Sequence, residues 1–109
     1  MDNEYGPVYE LTGFAALSEK ARIELDEEIR RYLSIRYVFI MGRLSDGRVD
    51  IFRNRGAGYP DLRLERAADG RILVCNMGGK GRWGAFAMLR QVLRRFPGMG
   101  IDQVLDAAS

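Results

Sequence analysis

The stretch from Arg36 to Arg55 reads Arg-Tyr-Val-Phe-Ile-Met-Gly-Arg-Leu-Ser-Asp-Gly-Arg-Val-Asp-Ile-Phe-Arg-Asn-Arg. Two segments rich in β-branched and aromatic residues, Arg36–Leu44 and Arg48–Arg55, flank Ser45-Asp46-Gly47. Asp-Gly between such segments is a strong hairpin signal, because glycine takes positive φ at little cost. If Asp46-Gly47 is a two-residue turn, Arg43 faces Asp50 on one side of the hairpin. Ile40, Leu44, Val49 and Ile51 share the other side, which turns toward the core. Phe39, Met41 and Phe52 then lie on the wetter face, a large apolar set to leave in water unless the N-terminal segment or a partner chain covers it.

The pattern repeats downstream. Leu62–Arg66 and Arg71–Asn76 flank Ala67-Ala68-Asp69-Gly70, and the two turns resemble each other, Arg-Leu-Ser-Asp-Gly-Arg-Val at 43–49 and Arg-Ala-Ala-Asp-Gly-Arg-Ile at 66–72. Residues 36–76 therefore read as two hairpins. Gly56-Ala57-Gly58-Tyr59-Pro60 joins them as a flexible connection.

Helices flank the hairpins. Ala21, Leu25, Ile29 and Leu33 recur every four residues, with Ser18 placed as N-cap and Glu19 at the positive end of the helix dipole. This predicts a helix over 18–33, with Asp26–Arg30 and Glu27–Arg31 as i,i+4 pairs. Ala85, Leu89, Val92, Leu93 and Phe96 predict a second helix over 82–96, stopped by Pro97-Gly98. Ile101, Val104 and Leu105 predict a short helix over 101–107. Residues 1–12 read as an irregular lead-in with an extended piece at Val8–Leu11. The expected architecture is one α+β domain over residues 1–109: an N-terminal helix, a four-stranded antiparallel sheet of two hairpins, a C-terminal helix and a short terminal helix.

Composition narrows the function class. The 109 residues are 47% hydrophobic and 29% charged, the balance of a folded globular chain. The longest apolar run, Tyr37–Met41, has strand length and falls far short of the roughly 20 residues that span a bilayer. The N-terminus has no apolar signal core, and Cys75 is the single cysteine, so a reducing, cytoplasmic setting is expected. Charge is unevenly laid out. Residues 1–28 carry a balance of −6, residues 29–98 of +10, and the last eleven of −2. The basic middle makes an anionic partner worth weighing. Arginine outnumbers lysine fifteen to two, as GC-rich coding or bidentate recognition of phosphate and carboxylate would both produce.

The catalytic inventory is sparse. There is no histidine, so the ordinary neutral-pH acid–base group is missing and Ser18, Ser34 and Ser45 have no usual triad base. Cys75 sits inside the apolar run Ile72–Cys75 and reads as a core residue rather than a nucleophile. One cysteine without histidine makes no zinc site, and no cofactor or metal is expected. A non-enzymatic binding protein remains.

Three groups of residues are candidates for the binding surface. Gly78-Gly79-Lys80-Gly81-Arg82-Trp83-Gly84 is a glycine-rich turn running into a helix, with two cations where backbone N–H groups and the dipole favour an anion. Trp83, Ala87, Arg90 and Arg94 follow at helical spacing, off the core stripe. Arg53, Arg55 and Tyr59 place two cations and an aromatic ring in the connection between the hairpins, a composition suited to single-stranded nucleic acid or an acidic protein surface.

Two family resemblances bear on these residues. Gly79-Lys80-Gly81, followed by Ala85 and Ala87, resembles the glycine turn at the second helix of double-stranded RNA-binding domains. That resemblance implies phosphate contacts at Lys80 and Arg82, although Trp83-Gly84 stands where the family has basic residues. The C-terminal half, a meander and a helix followed by Phe96-Pro97-Gly98-Met99-Gly100-Ile101, is similar to a small phage anti-CRISPR protein of type I-F. That resemblance implies a non-enzymatic inhibitor that docks on a nucleoprotein effector. The expected partner is thus a protein or nucleoprotein complex, met through the basic surface by an inhibitor or adaptor. Direct nucleic-acid binding is the first alternative. A homodimer through Phe39, Met41 and Phe52 is the second.

Overall fold

The computed structural model describes residues 8–77 and 84–104. Six strands form one antiparallel sheet: β1 (Val8–Thr12), β2 (Phe39–Arg43), β3 (Arg48–Phe52), β4 (Leu62–Arg66), β5 (Ile72–Asn76) and β6 (Gly100–Gln103), in the order β2-β3-β4-β5-β1-β6. Two helices, α1 (Glu19–Leu33) and α2 (Ala85–Leu93), pack with the sheet into one core. The α+β class stands, but the sheet has six strands and not four. The second hairpin pairs directly on the first through β3 and β4, so β2 to β5 are a continuous meander.

The two added strands come from the chain's flanks. The extended piece expected at Val8–Leu11 is a full sheet strand, Val8–Thr12, so residues 8–12 are not part of an irregular lead-in. Tyr9 and Leu11 alternate with Val8, Glu10 and Thr12, and β1 enters the sheet between β5 and β6, pairing Leu11 with both Ile72 and Ile101. The expected helix over 101–107 is also corrected: Gly100–Gln103 is the edge strand β6, and Leu105 to Ala107 lie outside the described residues. The open side of β1 offers Ile101 a ladder partner, and one apolar residue in Gly-Ile-Asp-Gln is too little to hold a helix against it. The second helix is shorter than 82–96. Gly84 caps it, it ends at Leu93, and Phe96 closes a tighter turn through its N–H to the Leu93 carbonyl at 2.9 Å.

The side-chain alternation places the core. Val49, Ile51, Leu62, Leu64, Ile72, Val74 and Leu11 are all buried and share the face that packs against Leu25, Ile29, Leu33, Met88, Leu89 and Val92 of the helices. Tyr9 lies on that face with its ring 4.5 Å from Phe86 of α2. The opposite face carries Phe39, Met41, Asp50, Phe52, Arg63, Cys75 and Val8, and no described helix covers it.

The first hairpin has a different turn from the expected one. Leu44 to Gly47 form a four-residue loop with a 3-10 turn, and Arg43 pairs with Arg48, not with Asp50. The slip is two residues, so the alternation survives and the core face is unchanged. Two forces select the longer loop. Leu44 is fully buried instead of pairing with Val49. Asp26 of α1 accepts hydrogen bonds from the Leu44 N–H at 2.7 Å and the Ser45 N–H at 3.3 Å. Asp26 is therefore not the i,i+4 partner of Arg30. Arg31 pairs with Glu28 at 2.6 Å, in place of Glu27.

Arg30 has a separate role at the β2 edge. Its guanidinium donates to the carbonyls of Ile40 and Gly42. Ile51, opposite Ile40, gives its own carbonyl to the Asp61 N–H on the β4 side, so Ile40 points its carbonyl out of the sheet. An exposed edge strand is a template for pairing with another chain, and a cation laid along it blocks that pairing. Arg30→Ala is expected to cost about 1–2 kcal/mol and to promote aggregation on mild heating. Static light scattering during a thermal ramp checks this, and an unchanged onset would show that the edge is protected by other means.

Candidate functional site

The candidate residues fall at two ends of the molecule. The β3–β4 connection carries Arg53, Arg55 and Tyr59. It turns back through Pro60 and Asp61, both buried, with the Asp61 N–H on the Ile51 carbonyl at 2.8 Å and the Met77 N–H on the Asp61 carbonyl at 2.9 Å. These bonds fix the loop against the end of β5. Arg53, Asn54, Ala57, Gly58, Tyr59, Asp61 and Met77 line a shallow depression of about 420 Å³. Tyr59 is 62% exposed at its rim. Arg53 is tied to the Asp61 carboxylate at 3.1 Å, and Arg55 lies over the Phe39 ring at 5.7 Å. Lys80, Arg82 and Trp83 lie outside the described residues.

A buried tyrosine supports the loop from below. Tyr37 is 4% exposed, and its phenol is pushed above the ordinary tyrosine range by burial, with the Asp61 carboxylate adding to the effect and Arg53 opposing it. The Ala85 backbone at the start of α2 also acts on this hydroxyl. The start of α2, the loop anchor Asp61 and the exposed Arg53 are thus linked through one buried side chain.

Arg90 and Arg94 lie elsewhere. From its start at the loop end, α2 runs toward the turn that enters β6, where Gly100 pairs with Thr12. Both arginines are exposed on its outer side. Arg90 lies over the Phe86 ring at 5.8 Å. The two arginines line a depression of about 170 Å³ with Leu93, Met99, Gly100 and Ile101. Arg94 also borders a second groove, of about 210 Å³, toward Glu28, Tyr32 and Arg95. Glu28 there is held below the usual carboxylate range, chiefly by its hydrogen bond from Arg31. The expected basic surface is therefore two separate patches, one at each end of α2.

The open sheet face carries charges beside its apolar residues, and Asp50 there is paired differently from the expected Arg43–Asp50 contact. Asp50 is 6% exposed, bracketed by the Arg48 Nε at 3.0 Å and the Arg63 Nε at 2.7 Å. Asp50, Arg63 and Cys75 are cross-strand neighbours. Burial pushes the Cys75 thiol up and keeps it protonated, against the smaller opposing pull of Arg63. The signal available in the sequence was the i,i+2 spacing of Arg48 and Asp50, which puts both on one face of a strand.

Among the described residues no group of three or more His, Cys, Asp or Glu side chains is placed to hold a metal ion. No described helix is long and apolar enough to cross a membrane. Comparison with known proteins finds no matching family model, no matching curated protein and no matching solved structure.

Proposed function

We propose that this chain is a non-catalytic binding protein that docks on a protein or nucleoprotein partner as an inhibitor or adaptor, the role its likeness to the small anti-CRISPR proteins implies. The observation that carries the reading is the β3–β4 loop. An exposed tyrosine and Arg53 line a shallow depression, on a loop pinned to the sheet by backbone hydrogen bonds. A rigidly based aromatic beside arginine is the usual composition of a protein-interface anchor. Lys80, Arg82 and Trp83 carry similar chemistry in the sequence, and Arg90 and Arg94 supply a second, peripheral patch.

Direct nucleic-acid binding is the second reading, favoured by two arginines and one exposed ring on the same connection. Salt separates the two. Fluorescence anisotropy of labelled duplex RNA, duplex DNA and single strands is expected to show no sub-micromolar binding at low salt. Binding whose log–log salt slope approaches about −0.9 per phosphate contact on duplex DNA would replace the docking reading by the nucleic-acid one. With the partner in hand, Tyr59→Ala is expected to weaken docking at least about tenfold, and Arg53→Ala less, because Arg53 is already held by Asp61.

A further inference from the structure

The open face of the sheet has a charge layout that fits a second copy of itself. One cross-strand row runs across all six strands: Arg43, Arg48, Glu65, Leu73, Glu10, Asp102. Two arginines face each other at the β2–β3 end, and two acids face each other at the β1–β6 end. Like charges directly opposed across a ladder are unfavourable. Part of each conflict is relieved within the chain, since Arg48 reaches Asp50 at 3.0 Å and Glu10 lies 3.6 Å from Arg71. Arg43 and Asp102, the exposed outer members, make no ion pair among the described residues.

We infer that this face is the two-fold interface of a homodimer. A two-fold axis lying between the two sheets, along the strand direction, lays the row of one copy over the reversed row of the other. Arg43 and Arg48 then stand over Asp102 and Glu10 of the second copy, and both like-charge pairs are neutralised together. The neighbouring row obeys the same operation. Met41, 50% exposed, meets Val104, while Asp50, already held by Arg48 and Arg63, stands over Val8 and Arg63 over Cys75. Because a two-fold contact uses the same patch on both copies, every favourable pairing occurs twice.

The size of the face sets the strength. Six strands about 4.8 Å apart and about five residues long give a footprint of roughly 450 Å² before side-chain relief. Stable standard interfaces bury about 800 Å² per partner, so this contact falls at the weak end and the dimer is expected to dissociate in the micromolar range. Packing of two sheets face to face at about 10 Å leaves room for long arginines to reach across. Phe39 and Phe52, with ring centroids 5.7 Å apart, form an apolar border on this face.

The inference is independent of the docking function. Sedimentation velocity over a concentration series from low micromolar to millimolar is expected to show a reversible monomer–dimer equilibrium that weakens with added salt. Arg43→Glu and Asp102→Arg each put like charges opposite one another twice, and each is expected to weaken the dimer at least about tenfold. The double variant restores opposite charges and is expected to return to within about threefold of the unaltered chain. Both positions are exposed, and circular dichroism melting checks that the fold is kept. A monomer at every concentration would overturn the inference. So would a dimer indifferent to the single changes, or a double variant that does not recover.

Discussion

Replacing Asp26 by alanine is expected to lower the free energy of unfolding by about 3 kcal/mol, with an unchanged dependence on denaturant. The side chain is 4% exposed in the middle of α1 and accepts two backbone hydrogen bonds from a loop eighteen residues away. These are charge-assisted bonds, stronger than those between neutral groups. Alanine leaves the buried Leu44 N–H without its acceptor, a desolvation cost of about 1–3 kcal/mol, and also releases the turn that holds Leu44 in the core. Asparagine keeps one acceptor oxygen and is expected to recover about half of the loss. Glu27→Ala, on the exposed side of the same helix, is expected to stay within about 0.5 kcal/mol. Urea titrations of the three variants decide the matter. A loss below about 1 kcal/mol at position 26 would mean that the loop is held by Leu44 alone.

Asp26 also marks where sequence reading succeeded and where it stopped. The four-residue recurrence of Leu25, Ile29 and Leu33 locates α1 and its buried stripe. Asp26 follows Leu25 and precedes Ile29 by one helical step, so it lies at the margin of that stripe. A carboxylate in that position finds its donors in another element, and the i,i+4 spacing to Arg30 carries no sign of that longer-range contact. The alternation in 39–52 fixed which face of the hairpin is buried, even though the turn chemistry misplaced the register by two residues. The flanking strands were harder to read because their information is not local. Leu11 and Ile101 are ninety positions apart in the chain, and each alone has too little pattern to declare a strand. The candidate site divided for a similar reason. Arg53, Arg55, Arg90 and Arg94 belong to one basic stretch of sequence. The path of α2 away from the loop carries the last two to the far end of the fold.

Gly42→Ala is expected to be the other large loss, about 3 kcal/mol or more, although the change adds one methyl group to an exposed strand. Gly42 holds φ at +84°, and a Cβ built there would overlap the carbonyl oxygen of Arg48 on the adjoining strand. That oxygen is backbone within the ladder, so it cannot swing aside as a side-chain tip would. Left-handed geometry alone costs an L-residue about 1–2 kcal/mol, and the overlap adds to it by forcing β2 away from β3. The Gly42 carbonyl is also one of the two that Arg30 holds, so the displacement loosens the edge guard as well. Gly47 separates the two contributions. Its φ is +101°, but a Cβ there meets nothing within 4 Å. Gly47→Ala should therefore show the conformational cost alone, about 1–2 kcal/mol. Thermal unfolding of the pair is expected to place the Gly42 variant about 12 °C or more below the unaltered chain, with the Gly47 variant between them. Equal losses at the two positions would mean that β2 and β3 part without cost at this point. The row from Arg43 to Asp102 would then lack the rigid register that a self-complementary face requires.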